Sequence, residues 1–197
     1  MKRLLLLLLC FIFIFSAGCA DAENTSSLVS ESRPDPIEKF FTVQKNEDYT
    51  YDFEVLNLNG SALISQKGYS MEPSAYLVSD TLLCLSAGGG ESTKWTRFCD
   101  LEQNLVSDTF YNVIYENEKR VVYSEFKENK HYIIVRDIFN ATAPFSETVL
   151  ENASMDADPT LAASQDSDPK TVAVTYYTGL SREPNTVTIN IGEEKCQ

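Results

Sequence analysis

The sequence predicts an all-β fold built as an antiparallel meander of short strands. Apolar and polar side chains alternate within short segments. In residues 49–58, Phe53 and Val55 fall on one side and acidic residues on the other, as in a half-buried strand. Asn59-Gly60 follows and is a strong signal for a tight hairpin. In the rest of the chain, polar turn segments separate the apolar segments at short intervals, which is typical of all-β proteins.

The same alternation predicts the elements in chain order. Residues 37–43 fit a short helix or an edge element. The predicted strands are residues 49–58, 62–65, 76–78, 81–86, 94–101, 109–115, 120–126, 131–139, 146–150, 171–178 and 186–191.

A weak internal repeat underlies these strands. Leu82-Leu83 is followed 39 residues later by Val121-Val122, and a period of about 40 residues matches one blade of a β-propeller. The strand predicted at 131–139 is apolar on both faces, so it needs cover on both sides. We therefore expect propeller-like blades, with a β-sandwich as the alternative.

Residues 1–18 have the composition of a signal peptide. Lys2 and Arg3 precede an apolar run of twelve residues, 4–15, which is short of the ~20 that a membrane-spanning helix needs. Small residues follow at positions 16–18, as at a signal-peptidase cleavage site. The sequence therefore predicts export.

The end of this segment, Ala17-Gly18-Cys19, resembles the lipobox of bacterial lipoproteins, with Ser16 where leucine is usual. The resemblance implies that residues 1–18 are removed and that Cys19 carries a diacylglyceryl thioether. Two or three acyl chains anchor a protein stably without a spanning helix. The resemblance therefore implies an extracytoplasmic protein that is lipid-anchored to a bacterial membrane.

Two further segments carry a second resemblance. Residues 68–74 (GYSMEPS) and 79–83 (SDTLL) are similar to a segment of small uncharacterised bacterial lipoproteins. This resemblance covers part of the β-rich region, contains no chemical motif and implies no activity.

A secreted protein is the alternative to a lipid-anchored one. Cys19 would then be an ordinary residue beside a normal cleavage site, and the chain offers four Asn-x-Ser/Thr sequons for glycosylation. The sequons begin at Asn24, Asn59, Asn140 and Asn152.

The chain divides into three predicted regions. Residues 1–18 are the signal peptide, residues 19–47 are the lipidated cysteine with a flexible tether, and residues 48–197 are a single β-rich domain. Residues 20–35 are rich in polar side chains and offer few apolar ones to bury, so they fit a tether between lipid and domain.

The chain is strongly acidic, with a formal net charge of −13 at pH 7. Removal of residues 1–18 takes away two cations and no acid, so the mature protein is more acidic still. Nucleic-acid phosphates need neutralisation by Lys and Arg, and anionic membrane surfaces attract basic clusters. We therefore expect no nucleic-acid partner, and we expect membrane contact through the N-terminal lipid.

Cys84 and Cys99 flank the glycine-rich segment 88–90. Export permits disulfides, and a loop over residues 90–93 would place the two cysteines opposite each other on neighbouring strands. A cross-strand disulfide is one interpretation, and two small buried apolar residues are the other. Cys196, next to the C-terminus, is expected to be a solvent-exposed thiol.

The sequence carries no recognised catalytic signature. It has one histidine, His131, no Cys-x-x-Cys pair and no Gly-x-Ser-x-Gly elbow, so neither a common zinc site nor a nucleophile elbow is present. His131 opens an apolar strand, which favours a histidine at the strand end or surface over a catalytic base. We therefore expect no enzyme activity, no metal and no cofactor.

Trp95 and Arg97 are the candidate ligand-binding residues. Trp95 is the single tryptophan and lies next to the glycine-rich tip. It shares a strand face with Arg97 and Cys99, because alternate residues of a strand point the same way. An aromatic residue beside an arginine is a common recognition pair, although a tryptophan on a core strand also serves packing.

These observations predict a membrane-anchored lipoprotein whose non-catalytic β domain binds a protein, peptide or glycan of the cell envelope. The alternative is a scaffold or assembly factor that pairs through strand edges with other envelope proteins. A cluster of Tyr and Trp in one exposed groove would favour the first function, and an open strand edge would favour the second.

Overall fold

The computed structural model describes residues 36–88, 94–140, 142–154, 160–165 and 167–192. These residues form an all-β domain of antiparallel strands, preceded by a short 3₁₀ helix at Pro36–Lys39. The prediction of an all-β antiparallel meander is confirmed.

The described strands form four antiparallel sheets that follow one another along the chain. Sheet 1 contains β1 (Phe41–Lys45), β2 (Tyr51–Leu56) and β3 (Ala62–Tyr69). Sheet 2 contains β4 (Ser74–Leu77), β5 (Leu82–Ala87), β6 (Trp95–Asp100), β7 (Leu105–Val106) and β8 (Phe110–Tyr111). Sheet 3 contains β9 (Val113–Glu116), β10 (Arg120–Lys127), β11 (Lys130–Asp137) and β12 (Ser146–Val149). Sheet 4 contains β13 (Thr160–Gln165), β14 (Thr171–Thr178) and β15 (Glu183–Asn190).

The strands of each sheet are neighbours in the chain, so most connections are hairpins. The hairpin between β2 and β3 forms at the predicted Asn59-Gly60 turn. The Asn57 side-chain Oδ1 accepts hydrogen bonds from the backbone N–H of Asn59 at 3.0 Å and of Ser61 at 2.8 Å. Gly60 has a φ of +79°, which glycine adopts without steric cost.

The central strand β5 is buried on both faces. Leu83 and Leu85 pack against sheet 1, whereas Leu82 and Cys84 pack against sheet 3. Successive strand residues point to opposite faces, so a continuous apolar run places apolar side chains on both sides of sheet 2. The sheet therefore needs a neighbour on each face.

Three apolar clusters join consecutive sheets. Sheets 1 and 2 share Phe53, Val55, Leu83, Leu85, Cys99 and Leu101. Sheets 2 and 3 share Leu82, Cys84, Phe98, Phe110, Val121 and Ile138. Sheets 3 and 4 share Val122, Ile133, Val135, Leu150, Val172, Val174, Tyr176, Ile189 and Ile191.

The β domain begins earlier than predicted. β1 pairs with β2 from Phe41 opposite Val55 to Lys45 opposite Tyr51, so the boundary predicted at residue 48 is too late. β1 is an edge strand and is largely exposed, and its apolar alternation is limited to Phe41 and Val43, so the sequence marks this strand only weakly. Residues 37–43, predicted to form a short helix or an edge element, contain both: the end of the 3₁₀ helix at Pro36–Lys39 and the beginning of β1.

The strand predicted at residues 109–115 is two strands. Asn112 has a φ of +52°, a left-handed conformation that interrupts extended backbone and that asparagine adopts more readily than most residues. The chain passes there from β8 in sheet 2 to β9 in sheet 3. The prediction of one continuous strand is therefore wrong.

The register between β5 and β6 rules out the cross-strand disulfide between Cys84 and Cys99. Cys84 lies opposite Phe98 and Cys99 lies opposite Leu83, one residue away from the predicted register. A one-residue shift turns a side chain to the other face, so Cys84 packs toward sheet 3 and Cys99 toward sheet 1. Both thiols are free and buried. Cys196 lies outside the described residues.

Candidate functional site

An aromatic cleft with a volume of about 230 Å³ lies between sheets 1 and 2. Sheet 1 contributes Phe53, Ile64, Gln66 and Tyr69 to its walls. Sheet 2 contributes Leu85, Trp95, Arg97 and Tyr111, and Thr109 lies just before β8. We call this site the aromatic cleft.

The geometry of β6 brings the two predicted binding residues together. Trp95 and Arg97 occupy alternate positions of the strand, and both line the cleft. Trp95 lies opposite Tyr111 through the pairing of β6 with β8, and Arg97 lies opposite Leu85 through the pairing of β6 with β5. The prediction that Trp95 and Arg97 share a strand face is confirmed.

Three aromatic rings that line the cleft form a continuous row. The ring centroids of Phe53 and Tyr69 are 5.9 Å apart, as are those of Tyr69 and Trp95, and both pairs meet edge to face. The Trp95 indole Nε1–H also donates a hydrogen bond to the Tyr69 hydroxyl. Edge-to-face pairs contribute about 0.5–1.5 kcal/mol beyond their burial. The row therefore holds Trp95 in one orientation at the cleft.

Arg97 is exposed and lies at the side of this row. Its Nε donates a hydrogen bond to Thr109 Oγ1 at 2.8 Å. Its Cζ lies 5.7 Å from the centre of the Trp95 ring, within the range of a cation–π interaction. These two contacts orient the guanidinium plane beside the cleft.

The cleft differs in charge from the rest of the protein. The chain carries 29 acidic residues against 16 Lys and Arg. Among the described residues, those lining the cleft nevertheless include Arg97 and no Asp or Glu. Arg97 therefore gives the described wall of the cleft one positive charge in an otherwise acidic protein.

The volume of the cleft limits what it holds. Pockets for drug-sized ligands usually have volumes of about 300–1,000 Å³, and this cleft is smaller, at about 230 Å³. Its outer wall includes Tyr111, which is 55% exposed. The cleft therefore fits one side chain or one ring of a larger ligand, with Tyr111 free to contact the adjacent part.

Two larger cavities have more polar walls. One of about 420 Å³ lies between sheets 2 and 3 and includes Asp100, Glu118 and Asp137 beside Lys119. Another of about 390 Å³ lies over the outer face of sheet 1. Within the described ranges, no three His, Cys, Asp or Glu groups lie close enough to hold a metal ion. Ligand sites are mostly apolar with a few placed polar groups, and the aromatic cleft fits that description best.

The sequence pattern identifies Trp95 and Arg97 but not Tyr69 or Tyr111. Tyr69 lies 26 residues from Trp95 in the chain, and sheet packing alone brings them together. The sequence pattern does not single out Tyr111, because the strand ends at Asn112, where φ is positive. Its alternation with the buried Phe110 is the signal that places it on the exposed side of a short strand.

His131 takes no part in the aromatic cleft. It is the second residue of β11 and is buried, with 6% of its surface exposed. Its ring packs on Phe126, its partner in the β10–β11 register, with centroids 4.7 Å apart. The expected strand-end position is confirmed and the surface position is wrong, because Phe126 covers the ring.

Cys19 and the rest of residues 1–35 lie outside the described residues. Among the residues that the structure does describe, no helix has the length and apolar character needed to cross a membrane. No known protein-family model matches the chain, and a search of curated proteins found no similar sequence.

Proposed function

We propose that this protein is an extracytoplasmic lipoprotein whose non-catalytic β domain binds a peptide segment of another cell-envelope protein. The aromatic cleft between sheets 1 and 2 is the observation that carries this proposal. It combines Trp95, Tyr111 and Arg97 at one partly open site. Trp, Tyr and Arg are the residues most enriched at the energetic centres of protein interfaces.

A peptide fits the cleft better than a compact small molecule. The cleft accommodates one side chain, and the exposed Tyr111 ring provides further contact area beside it. β3, which supplies Ile64, Gln66 and Tyr69, is an edge strand of sheet 1. An extended segment lying along this edge would place one side chain in the cleft and its neighbours outside it.

The proposed membrane anchor rests on the sequence. Lipidation of Cys19 would tether the domain through residues 20–35, giving reach without a spanning helix. Mass spectrometry of the N-terminal peptide of the mature protein tests this anchor. A diacylglyceryl-modified Cys19 is expected, and an unmodified N-terminus at another residue would show a secreted protein instead.

Binding at the cleft is tested with peptides of random sequence. The full-length chain in detergent is screened against a synthetic library, and the affinity of selected peptides is measured by calorimetry. Tyr111→Ala should weaken binding about tenfold, the effect of removing an interface centre. Tyr49→Ala is the matched control, because Tyr49 is 77% exposed and lies outside the cleft. Equal effects of the two substitutions would contradict binding at the cleft.

A glycan is the other ligand that the composition of the cleft allows. An array of neutral oligosaccharides is screened in parallel with the peptides. Oligosaccharide binding that depends on Tyr111, with no peptide bound, would reject the peptide proposal and assign the cleft to sugars.

Strand-edge assembly is the second candidate function. β3 and β15 are edge strands of eight residues each, and long exposed edges can pair with another chain. Thr188→Lys places a charge on β15 and should reduce chemical cross-linking to membrane partners if edges carry the function. Tyr111→Ala should leave such cross-linking unchanged in that case.

We also propose that the four sheets are arranged as the blades of an open, propeller-like fan. The support is that each apolar cluster joins consecutive sheets. In addition, the 39-residue repeat of Leu82-Leu83 and Val121-Val122 falls on the second strands of sheets 2 and 3. A crystal structure tests the arrangement: sheets radiating about one axis would support blades, and two stacked layers would indicate the β-sandwich.

A further inference from the structure

We infer that the ligand of the aromatic cleft carries a carboxylate and that Arg97 binds this group. The inference rests on the proposed peptide-binding function and deepens it, since it names the chemical group that the peptide must present.

The contacts of Arg97 leave the relevant part of its guanidinium available. Among the described residues, its single hydrogen bond runs from Nε to Thr109 Oγ1, and it makes no ion pair with any of them. The two terminal nitrogens, Nη1 and Nη2, are therefore the donors that remain. Their parallel N–H groups match the two oxygens of a carboxylate.

Thr109 and Trp95 set the direction of this fork. The hydrogen bond from Nε fixes one side of the guanidinium plane, and the Trp95 ring lies 5.7 Å from Cζ. An arginine that is already oriented loses less side-chain entropy when it binds a ligand. Thr109 is thus a positioning residue, because it acts on the ligand through Arg97.

The charge distribution selects an anion at this site and disfavours one elsewhere. The described lining of the cleft has Arg97 and no acidic residue, whereas that of the larger cavity between sheets 2 and 3 includes Asp100, Glu118 and Asp137. With a net charge of −13, the protein repels anions over most of its surface. A carboxylate therefore finds a favourable charged partner at the cleft, whereas the net charge of the protein disfavours it over most of the surface.

A carboxylate can come from an Asp or Glu side chain or from the C-terminus of the peptide. Peptides selected by the full-length chain are resynthesised with each acid replaced in turn: Asp by Asn, Glu by Gln, and the terminal acid by the carboxamide. One replacement should weaken binding about three- to tenfold, the range for a well-aligned ion pair at an exposed site. The replacement that has this effect identifies the source.

The Arg97→Gln variant completes a double-mutant cycle. The sensitive acid and its amide should bind Arg97→Gln equally well, because the partner of the acid is gone. Thr109→Val should reduce the preference for the acid, and Thr109→Ser, which keeps the hydroxyl, should restore it. An acid preference of the same size in Arg97→Gln would overturn the inference.

The outcomes separate this inference from the proposed function. Peptides that bind through Tyr111 but tolerate every acid-to-amide replacement would overturn the carboxylate assignment and leave peptide binding intact. Peptides that bind independently of Tyr111, or binding of neutral oligosaccharides alone, would overturn both.

Discussion

Arg120 is the buried charge that ties sheet 3 to the end of sheet 4. Its side chain is 4% exposed, and its Nε forms an ion pair with Asp137 Oδ1 at 2.9 Å. Its Nη1 donates to the backbone carbonyl of Ile191, and its Cζ lies 3.3 Å from the centre of the Phe145 ring. A buried charge of this kind is tolerated because several partners replace the water it loses.

Replacing Arg120 by methionine should destabilise the fold. The Ile191 carbonyl and the Asp137 carboxylate would lose their partner, at a cost of about 3 kcal/mol in the free energy of unfolding. The value lies at the low end of the range for broken buried pairs because Asp137 is 34% exposed. Urea unfolding measures the loss. Arg97→Met is the control, since Arg97 is exposed, and equal losses in the two variants would contradict a special role for Arg120.

The two buried thiols, Cys84 and Cys99, should make the free energy of unfolding fall at alkaline pH. Burial raises the pKa of Cys84 to about 11 and that of Cys99 to about 12, from an ordinary value of 9.0. The unfolded chain therefore releases these protons first as the pH rises. The stabilisation that the two protonated thiols contribute is complete below their ordinary pKa of 9.0. It decreases as the pH rises above that value and is lost once the pH passes the pKa of each thiol in the folded protein.

The expected loss is about 1.4 kcal/mol per thiol for each pH unit within that window. Urea unfolding at a series of pH values above 9.0 measures it. The double variant Cys84→Ala/Cys99→Ala should show a shallower alkaline loss than the natural chain. Parallel losses in the two proteins would show that the thiols do not contribute.

At the scale of single elements, the β10–β11 hairpin has a tight two-residue turn whose backbone conformation favours particular residue types. Lys127 pairs with Lys130, which leaves a two-residue turn of Glu128 and Asn129. Both turn residues have positive φ, +51° and +60°, as a type I′ turn requires. Asparagine adopts this conformation readily, whereas glutamate does so with strain.

Glu128→Asn should therefore stabilise the protein, by about 0.5–1 kcal/mol in the free energy of unfolding. Thermal unfolding measures the gain. Glu118→Asn makes the same chemical change in the β9–β10 turn at a residue without positive φ, so it controls for loss of one negative charge. A gain of equal size in both variants would assign the effect to charge rather than to backbone strain.

The strands that the sequence predicts well are those with one or two buried faces. Alternation locates β2 and β14, and apolar runs locate β5 and β11. The sequence predicts β1 only as a short helix or an edge element over residues 37–43, because this five-residue edge strand buries little. β13 is missed as a strand because its sequence, TLAASQ, is dominated by small residues with weak strand preference.

The sequence predicts only those residues of the candidate site that a local strand pattern identifies. Trp95 and Arg97 follow from alternation within one strand, which is a local property. Tyr69 joins them through packing of sheet 1 on sheet 2, which no local pattern encodes. The β5–β6 register shows how far a local pattern can predict the site. An error of one residue in that register places Cys84 on the wrong face of the sheet.

At the scale of the whole molecule, the core is divided among the junctions between consecutive sheets. Each described cluster joins one sheet to the next. Structures in which each unit contacts mainly its neighbours respond locally to a local loss of packing. We therefore expect parts of the domain to open separately.

Hydrogen exchange of two matched variants tests this division. Leu85 and Ile189 are 0% and 1% exposed and belong to the clusters of sheets 1–2 and 3–4, respectively. Leu85→Ala and Ile189→Ala should each cost about 2–5 kcal/mol. Leu85→Ala should increase exchange mainly in sheets 1 and 2, and Ile189→Ala mainly in sheets 3 and 4. The same set of amides affected in both would indicate one cooperative core.

The proposed function requires a ligand to enter the aromatic cleft, and the fluorescence of Trp95 reports that event. It is the single tryptophan of the chain and lines the cleft, so tryptophan emission reports on this site alone. The most direct measurement is a fluorescence titration of the full-length chain with a selected peptide. We expect a saturable shift of the emission with the dissociation constant found by calorimetry. A peptide that binds by calorimetry while Trp95 emission stays unchanged would contradict the proposed function.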